Sequence, residues 1–246
     1  MFVEFTPPEA RSGARALRIW RASDMLLGVG MLVLSVIAVT AALVVLGVTP
    51  GAPGNTSDNV AAAVATIALE LLFGGAVLWL AARRGLGWAD LGFVRPRRWG
   101  PVGIAWAGSY VVIVAYQLLL AAVKSVGVDV SMFDDANALP VDPRESVVLL
   151  LLLGTAVVVA PFCEELFFRA LLFRGMRGYW RLAPSLAVSG LAFGAFHLNP
   201  SVVLPFALIG VLFAWANEQS GSLWTSIAAH AGVNGVSFAL SLVVEV

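Results

Sequence analysis

Val157-Val-Val-Ala-Pro-Phe-Cys-Glu-Glu-Leu-Phe-Phe-Arg-Ala-Leu-Leu-Phe173 places two adjacent carboxylates, Glu164 and Glu165, and one guanidinium, Arg169, inside an otherwise apolar run. A charged group near the centre of a membrane helix costs roughly 2.5–3.5 kcal/mol on insertion scales, so ionisable residues there turn toward a polar cavity and serve a function. Two questions follow from this stretch: whether the rest of the chain is built for a membrane, and what else polar lies at the same depth.

The first answer is compositional. Of 246 residues, 60% are hydrophobic and 12% charged, and the mean hydropathy is +0.91. Soluble domains carry about 25% charged residues. The formal net charge is zero, which gives no electrostatic footprint for nucleic acid. The single cysteine, Cys163, excludes an internal disulfide and a cysteine-only metal site. The eight tryptophans suit membrane-interface belts.

Seven apolar segments can be read, over 25–47, 60–82, 102–123, 146–174, 184–198, 201–217 and 223–244. A helical crossing needs about 20 residues. The fifth and sixth segments are short and meet at Asn199-Pro200, which predicts a tight helical hairpin or a partly re-entrant element, so the count runs from six to eight. Pro161 predicts a kink just before the two glutamates, because proline lacks the N–H of an interior helical bond. The expected fold is an all-α integral membrane bundle of about seven transmembrane helices, with the polar residues in the C-terminal helices. Residues 1–24 read as a cytoplasmic interfacial segment, and 25–246 as one transmembrane domain.

Arginine sets the orientation. Arg11, Arg15, Arg18 and Arg21 precede the first span, and the segment lacks a convincing signal-peptide cleavage site. Arg83, Arg84, Arg95, Arg97 and Arg98 lie between the second and third spans, and Arg174, Arg177 and Arg181 follow the fourth. The alternate connections are poor in basic residues. Basic loops stay in the cytoplasm, so the N-terminus is expected inside, in a multi-pass protein of the cell membrane. The segment Leu86–Phe93 is expected on the cytoplasmic interface, and the acidic connection Gly127–Arg144 outside.

The second answer is a constellation. Beside Glu164, Glu165 and Arg169 stand Phe193-Gly-Ala-Phe-His197 and His230-Ala-Gly-Val-Asn234, which hold the only two histidines of the chain. At about 1.5 Å per residue, Glu164, His197 and His230 lie roughly 10–18 Å above the inner ends of their spans, close enough to meet. Glu165 and Arg169 are spaced i, i+4 and share a helix face. Glu164 is turned away from them by about 100° and can address a cavity. His230 and Asn234 are again i, i+4. A carboxylate, two imidazoles and an amide suffice for amide hydrolysis: the carboxylate takes a proton from water and hydrogen-bond donors stabilise the oxyanion. Blander roles also exist. A buried histidine can serve packing, a Glu–Arg pair can be a clamp, Cys163 reads as a small packing residue, and Ser189, Thr225 and Ser226 read as interhelical hydrogen-bonders. Tyr110, Tyr116 and Gln117 read as lining or packing residues.

Glu-Glu-x-x-x-Arg, Phe-x-x-x-His and His-x-x-x-Asn, in this order over residues 164–234, resemble the CPBP family of intramembrane proteases, which includes type II CAAX prenyl endopeptidases and bacteriocin-processing or immunity proteins. The resemblance implies a peptidase with its core at about 146–244 and a cavity open to the cytoplasmic side, cutting a membrane-anchored protein or peptide near that face. It implies that Glu164 and His197 activate water, that His230 and Asn234 form the oxyanion site, and that Glu165, Arg169 and Phe193 support them. A single divalent metal such as zinc, on Glu164, His197 and His230, stays open. A neighbouring reading is a non-catalytic scaffold or immunity protein of the same fold. Transport is disfavoured, because the chain shows no internal repeat and no matching pair of interrupted helices.

Overall fold

The structure, a computed structural model, describes residues 19–49, 55–134 and 146–243. The expected interfacial segment lies largely outside these residues, as does most of the acidic connection that follows the third span.

Seven helices carry the described fold, and no strand occurs among the described residues. They are α1 (Ala22–Val45), α2 (Thr56–Arg84), α3 (Gly100–Ser125), α4 (Ser146–Arg177), α5 (Leu182–Phe196), α6 (Pro200–Ser220) and α7 (Leu223–Val243). Six are long and apolar enough to cross a membrane by length and composition, and α5 is the shorter apolar helix among them. Each of the seven segments read from hydropathy falls on one helix.

Local chemistry sets the ends. The Asn55 side chain accepts from the Asp58 backbone N–H and opens α2, and Gly85 closes it at φ +68°, a left-handed conformation that glycine adopts without a Cβ penalty. Asn199 caps α6 by accepting from the Ser201 N–H, and Pro200 follows in the first helical turn, where its missing N–H costs nothing. The junction at Asn199-Pro200 is therefore a tight turn between two antiparallel helices. The α5–α6 pair is the most intimate in the bundle. Gly190 and Gly194 lie against the α6 backbone at Ala207 and Val203, and Gly210 lies against Gly190 and Phe193. Small residues let the helices approach this closely.

Where a kink was expected at Pro161, the helix carries two stretches of π-helix, Thr155–Val159 and Leu166–Phe173, which flank an α-helical turn at Ala160–Glu165. Proline cannot donate to the carbonyl one turn back, and a wider turn accommodates the lost bond. The two glutamates lie in the short normal turn between the two wide ones.

One end of the bundle is laced together by its connections. The Arg97 N–H donates to the Ser220 carbonyl at 3.0 Å and the Leu223 N–H to the Gly92 carbonyl at 2.8 Å. Arg174 Nη1 donates to the Asp90 carbonyl at 3.0 Å. Arg177 pairs with Glu218 at 2.9 Å, and Arg84 with Asp24 at 2.7 Å. Trp20 Nε1 donates to the Ala170 carbonyl at 2.6 Å. All the arginine-bearing described connections thus gather at this end, in keeping with the alternation of basic and non-basic loops along the chain. The short helix Trp88–Leu91 belongs to it, in the segment expected at the interface. The opposite end carries the short helix Ser131–Asp134, which packs against α6.

Candidate active site

The fourth helix is continuously buried over residues 163–173. Glu165 and Arg169 are fully buried, and Glu164 is 5% exposed. Arg169 Nη1 stands 2.8 Å from Glu165 Oε1, and Arg169 Nη2 donates to the Gly210 carbonyl at 3.0 Å. The guanidinium also lies 4.5 Å from the Phe193 ring centroid and near the rings of Phe168 and Phe213. A buried charge needs such pairing and such contacts to persist. The i, i+4 pairing read from the sequence is the one observed.

Glu165 reaches a second partner, because its Oε1 lies 3.1 Å from His230 Nδ1. His230 Nε2 is 3.9 Å from Glu164 Oε2, beyond a direct hydrogen bond, and Glu164 Oε2 has no hydrogen-bond partner among the described residues. His230 is sandwiched by aromatic rings: Phe213 stacks on it at 5.0 Å between centroids and Phe193 meets it edge-on at 5.5 Å. Phe193 also meets the His197 ring at 5.1 Å. Phe193 therefore touches both imidazoles and the guanidinium, so one ring fixes three polar groups.

His197 differs from expectation in one respect. It is the residue that ends α5 rather than one inside it, and Leu198 follows at φ +50°. Its Nδ1 lies 2.9 Å from the Phe193 carbonyl. A carbonyl only accepts, so Nδ1 carries the hydrogen and Nε2 keeps its lone pair. The same logic holds at His230: hydrogen bonding to the Glu165 carboxylate puts the proton on Nδ1 and leaves Nε2 as an acceptor in the neutral ring. Asn234 Nδ2 donates to the Ala156 carbonyl at 2.9 Å, within the first π stretch, and retains a second N–H.

Glu164, Phe193, His197, His230 and Asn234 all line one cavity of about 220 Å³. Three motifs from α4, α5 and α7 converge there, as the depth estimate required. Tyr116 and Gln117 line it too, whereas Tyr110 holds the Val233 carbonyl at 3.0 Å. Glu165 and Arg169 stand behind the wall. Cys163 packs against Gly74 of α2 and is absent from the lining. Ser189 bridges to the Phe168 carbonyl and Thr225 to the Ala216 carbonyl, as interhelical hydrogen-bonders should. Ser226 instead bonds within its own helix, to Leu223.

The sequence reading missed several residues. Ser201, Ser237, Pro205 and Phe206 line the cavity from α6 and α7 without any motif to announce them. Glu70 of α2 is 5% exposed, has an Oε2 without a hydrogen-bond partner, and lies close enough to Cys163 and Glu164 to act on both electrostatically. Its signal was available, as a carboxylate in an apolar span.

The metal set fares less well as a unit. Glu164, His197 and His230 offer ligand-type atoms, but among the described residues no three His, Cys, Asp or Glu side chains converge as a group for one ion. The residues as they stand do not fit a three-ligand site, and no step below is routed through a metal.

The resemblance and the arginine pattern also disagree over the cavity. Its deep part lies toward the arginine-rich end and its exposed lining residues, Gln117 and Ser237, lie toward the other. A cavity open to the cytoplasmic side and an arginine-rich end in the cytoplasm are therefore not both met.

Comparison with known proteins agrees with the convergence of these motifs. Neither a curated protein nor a solved structure matches the chain. The family model described as type II CAAX prenyl endopeptidase Rce1-like matches residues 146–236, the stretch from α4 to α7 that holds every motif residue of the cavity. Over these residues the chain is similar to the type II CAAX prenyl endopeptidase family.

Proposed function

We propose that the chain is an intramembrane endopeptidase that hydrolyses a peptide bond of a membrane-associated protein or peptide, with Glu164 as the general base. The observation that carries this reading is the Glu164 carboxylate, set in a cavity wall at membrane depth with an oxygen that no group among the described residues engages. Its substrate and its lipid surroundings are the partners implied. CAAX-type processing is the reaction that the family's name offers.

The steps follow from the atoms present. A water held between Glu164 and His197 Nε2 gives a proton to Glu164 as its oxygen bonds to the peptide carbonyl carbon. Negative charge then gathers on the carbonyl oxygen. The second N–H of Asn234 is a donor for it. Neutral His230 is no such donor, because its Nε2 holds a lone pair. It serves as one only after Nε2 has taken a proton from solvent before the substrate enters, a proton it keeps through the cycle, and the Glu165 carboxylate at Nδ1 favours that imidazolium. Proton transfer from Glu164 to the leaving nitrogen breaks the C–N bond and gives a carboxylic acid and an amine. Glu165 and Arg169 orient His230, and Phe193 holds the rings in place.

Purified protein assayed on membrane-anchored peptides tests this. Glu164→Gln keeps the shape and loses the base, so cleavage should fall by about 10²–10⁴-fold while thermal stability is retained. Wild-type turnover in this variant would sink the general-base role. Failure of the wild type to cut any such peptide, together with tight binding of one, would favour the scaffold or immunity reading.

A further inference from the structure

The depth of each lining residue can be counted from the arginine-rich end. At about 1.5 Å per residue, Phe213 and His230 stand about 10 Å above it, Phe193 and Ile209 about 16 Å, and Glu164 about 20 Å. Val233 and Asn234 share the level of Phe193. His197, Pro205 and Ser237 stand at about 21–22 Å, Tyr116 and Gln117 at about 25 Å, and Ser201 at about 28 Å. The cavity is thus a shaft along the bundle axis, and its ends differ.

Below His230 the shaft is closed. Phe213 is 1% exposed, while Ala216, Leu223, Ser226 and Arg169 are buried. Beneath them lies the hydrogen-bonded lacing of the connections 92–97 and 220–223. Above Asn234 the lining opens: Gln117 and Ser237 are exposed, and His197, Asn234 and Tyr116 are half-buried. Among the described residues no Lys, Arg or Asp lines any part of the cavity, and the groups at its upper end are amides, hydroxyls, the His197 imidazole and apolar walls.

We propose that the catalytic cavity is entered from the arginine-poor end, which the charge bias places outside the cytoplasm. Its substrates are then uncharged or apolar peptide segments presented from the outer face of the membrane, in place of the C-terminal tails of cytosolic proteins. This rests on the peptidase reading for its chemistry and on the structure alone for its geometry. Uncharged residues flank the scissile bond, because a charge brought into the shaft would have no counter-charge at the mouth. Positive-inside sorting supplies the direction, and the sealed arginine-rich floor removes the alternative route.

Two measurements separate the geometry from the chemistry. Single cysteines at Gln117, Ser237, Asp129 and Arg98, each in a Cys163→Ala background, are exposed to a membrane-impermeant maleimide in intact cells and in inverted vesicles. Gln117→Cys, Ser237→Cys and Asp129→Cys should label in cells, and Arg98→Cys only in inverted vesicles. Labelling of the Gln117 and Ser237 positions from the Arg98 side, or from neither side, overturns the entry route. Labelling of Asp129→Cys only in inverted vesicles overturns the outward presentation. The second measurement adds an uncharged membrane peptide to either face of sealed proteoliposomes whose orientation has been fixed by the same labels. Cleavage should occur only from the Asp129 side, and cleavage confined to the Arg98 side refutes the proposal. If the labels fall as expected but detergent-solubilised protein cuts nothing, the entry route stands and the peptidase reading fails.

Discussion

Arg169 is the residue whose loss should be felt most widely. It neutralises Glu165, ties α4 to the Gly210 carbonyl of α6, and lies against three phenylalanine rings. Truncation leaves the buried Glu165 charge without its guanidinium partner and with only the His230 hydrogen bond, a destabilisation of about 3–5 kcal/mol. Arg169→Ala should therefore lower the midpoint of thermal unfolding in detergent as well as activity. Arg169→Lys should recover part of the stability, since a point charge replaces one arm of the fork but not its reach to Gly210. A stable but inactive Arg169→Ala protein would instead mark the guanidinium as a group that acts on substrate. The imidazoles carry a different expectation. His197 and His230 each hold Nδ1 in a hydrogen bond and present Nε2 as an acceptor, the form that either takes a proton or binds a metal. Elemental analysis of active protein is expected to find no stoichiometric transition metal. One zinc per chain that disappears in His197→Ala and His230→Ala would replace the water-and-oxyanion mechanism with a metal-assisted one.

At the scale of elements, the α5–α6 hairpin depends on glycines that admit backbone contact. A Cβ on Gly194 would meet the Val203 carbonyl within contact distance and stand 2.7 Å from the Ala207 nitrogen. Backbone cannot rotate away as a side chain can. Gly194→Ala should thus push the helices apart, shift Phe193 and His197, and destabilise by about 1–3 kcal/mol. Gly75 of α2 has nothing within 4 Å of the same atom, so Gly75→Ala is the matched control and should leave stability unchanged or raise it slightly. Equal melting of the two variants would mean that the hairpin is looser than its geometry implies. Both helices were legible in the sequence, because apolar length and the Asn199-Pro200 break are local signals. The π stretches were not. Pro161 announced a disturbance, but whether a helix bends or widens depends on what packs around it, here α2 on one side and α7 on the other. The convergence of Glu164, His197 and His230 was legible through depth, since a membrane bundle fixes height when it fixes helix ends. Glu70 was overlooked, because a single carboxylate without a second motif residue resembles a tolerated exception. The direction in which the cavity opens along the bundle was not legible, because no local pattern reports which end of a bundle is packed shut.

The whole molecule adds one requirement that the family match does not cover. The matched stretch 146–236 holds the motifs, but part of the cavity wall comes from Ile113, Tyr116 and Gln117 of α3. Behind Glu164, α2 supplies Phe73, Gly74 and Glu70, with Gly74 against Cys163 and Phe73 against the rings of Phe167 and Phe196. We therefore treat residues 25–246 as one cooperative domain rather than a catalytic core with an appended anchor. Division within the connection between α3 and α4 tests this, since each half then inserts as a set of complete helices that associate afterwards by packing. Residues 146–246 expressed alone should insert but show no cleavage, because one wall of the shaft is missing. Co-expression with residues 1–145 should restore measurable activity, and Gly74→Leu in the first fragment should abolish that rescue, because the added side chain would be driven into Cys163 next to Glu164. Full activity from 146–246 alone would confine catalysis to α4–α7 and leave α1–α3 the role of an anchor.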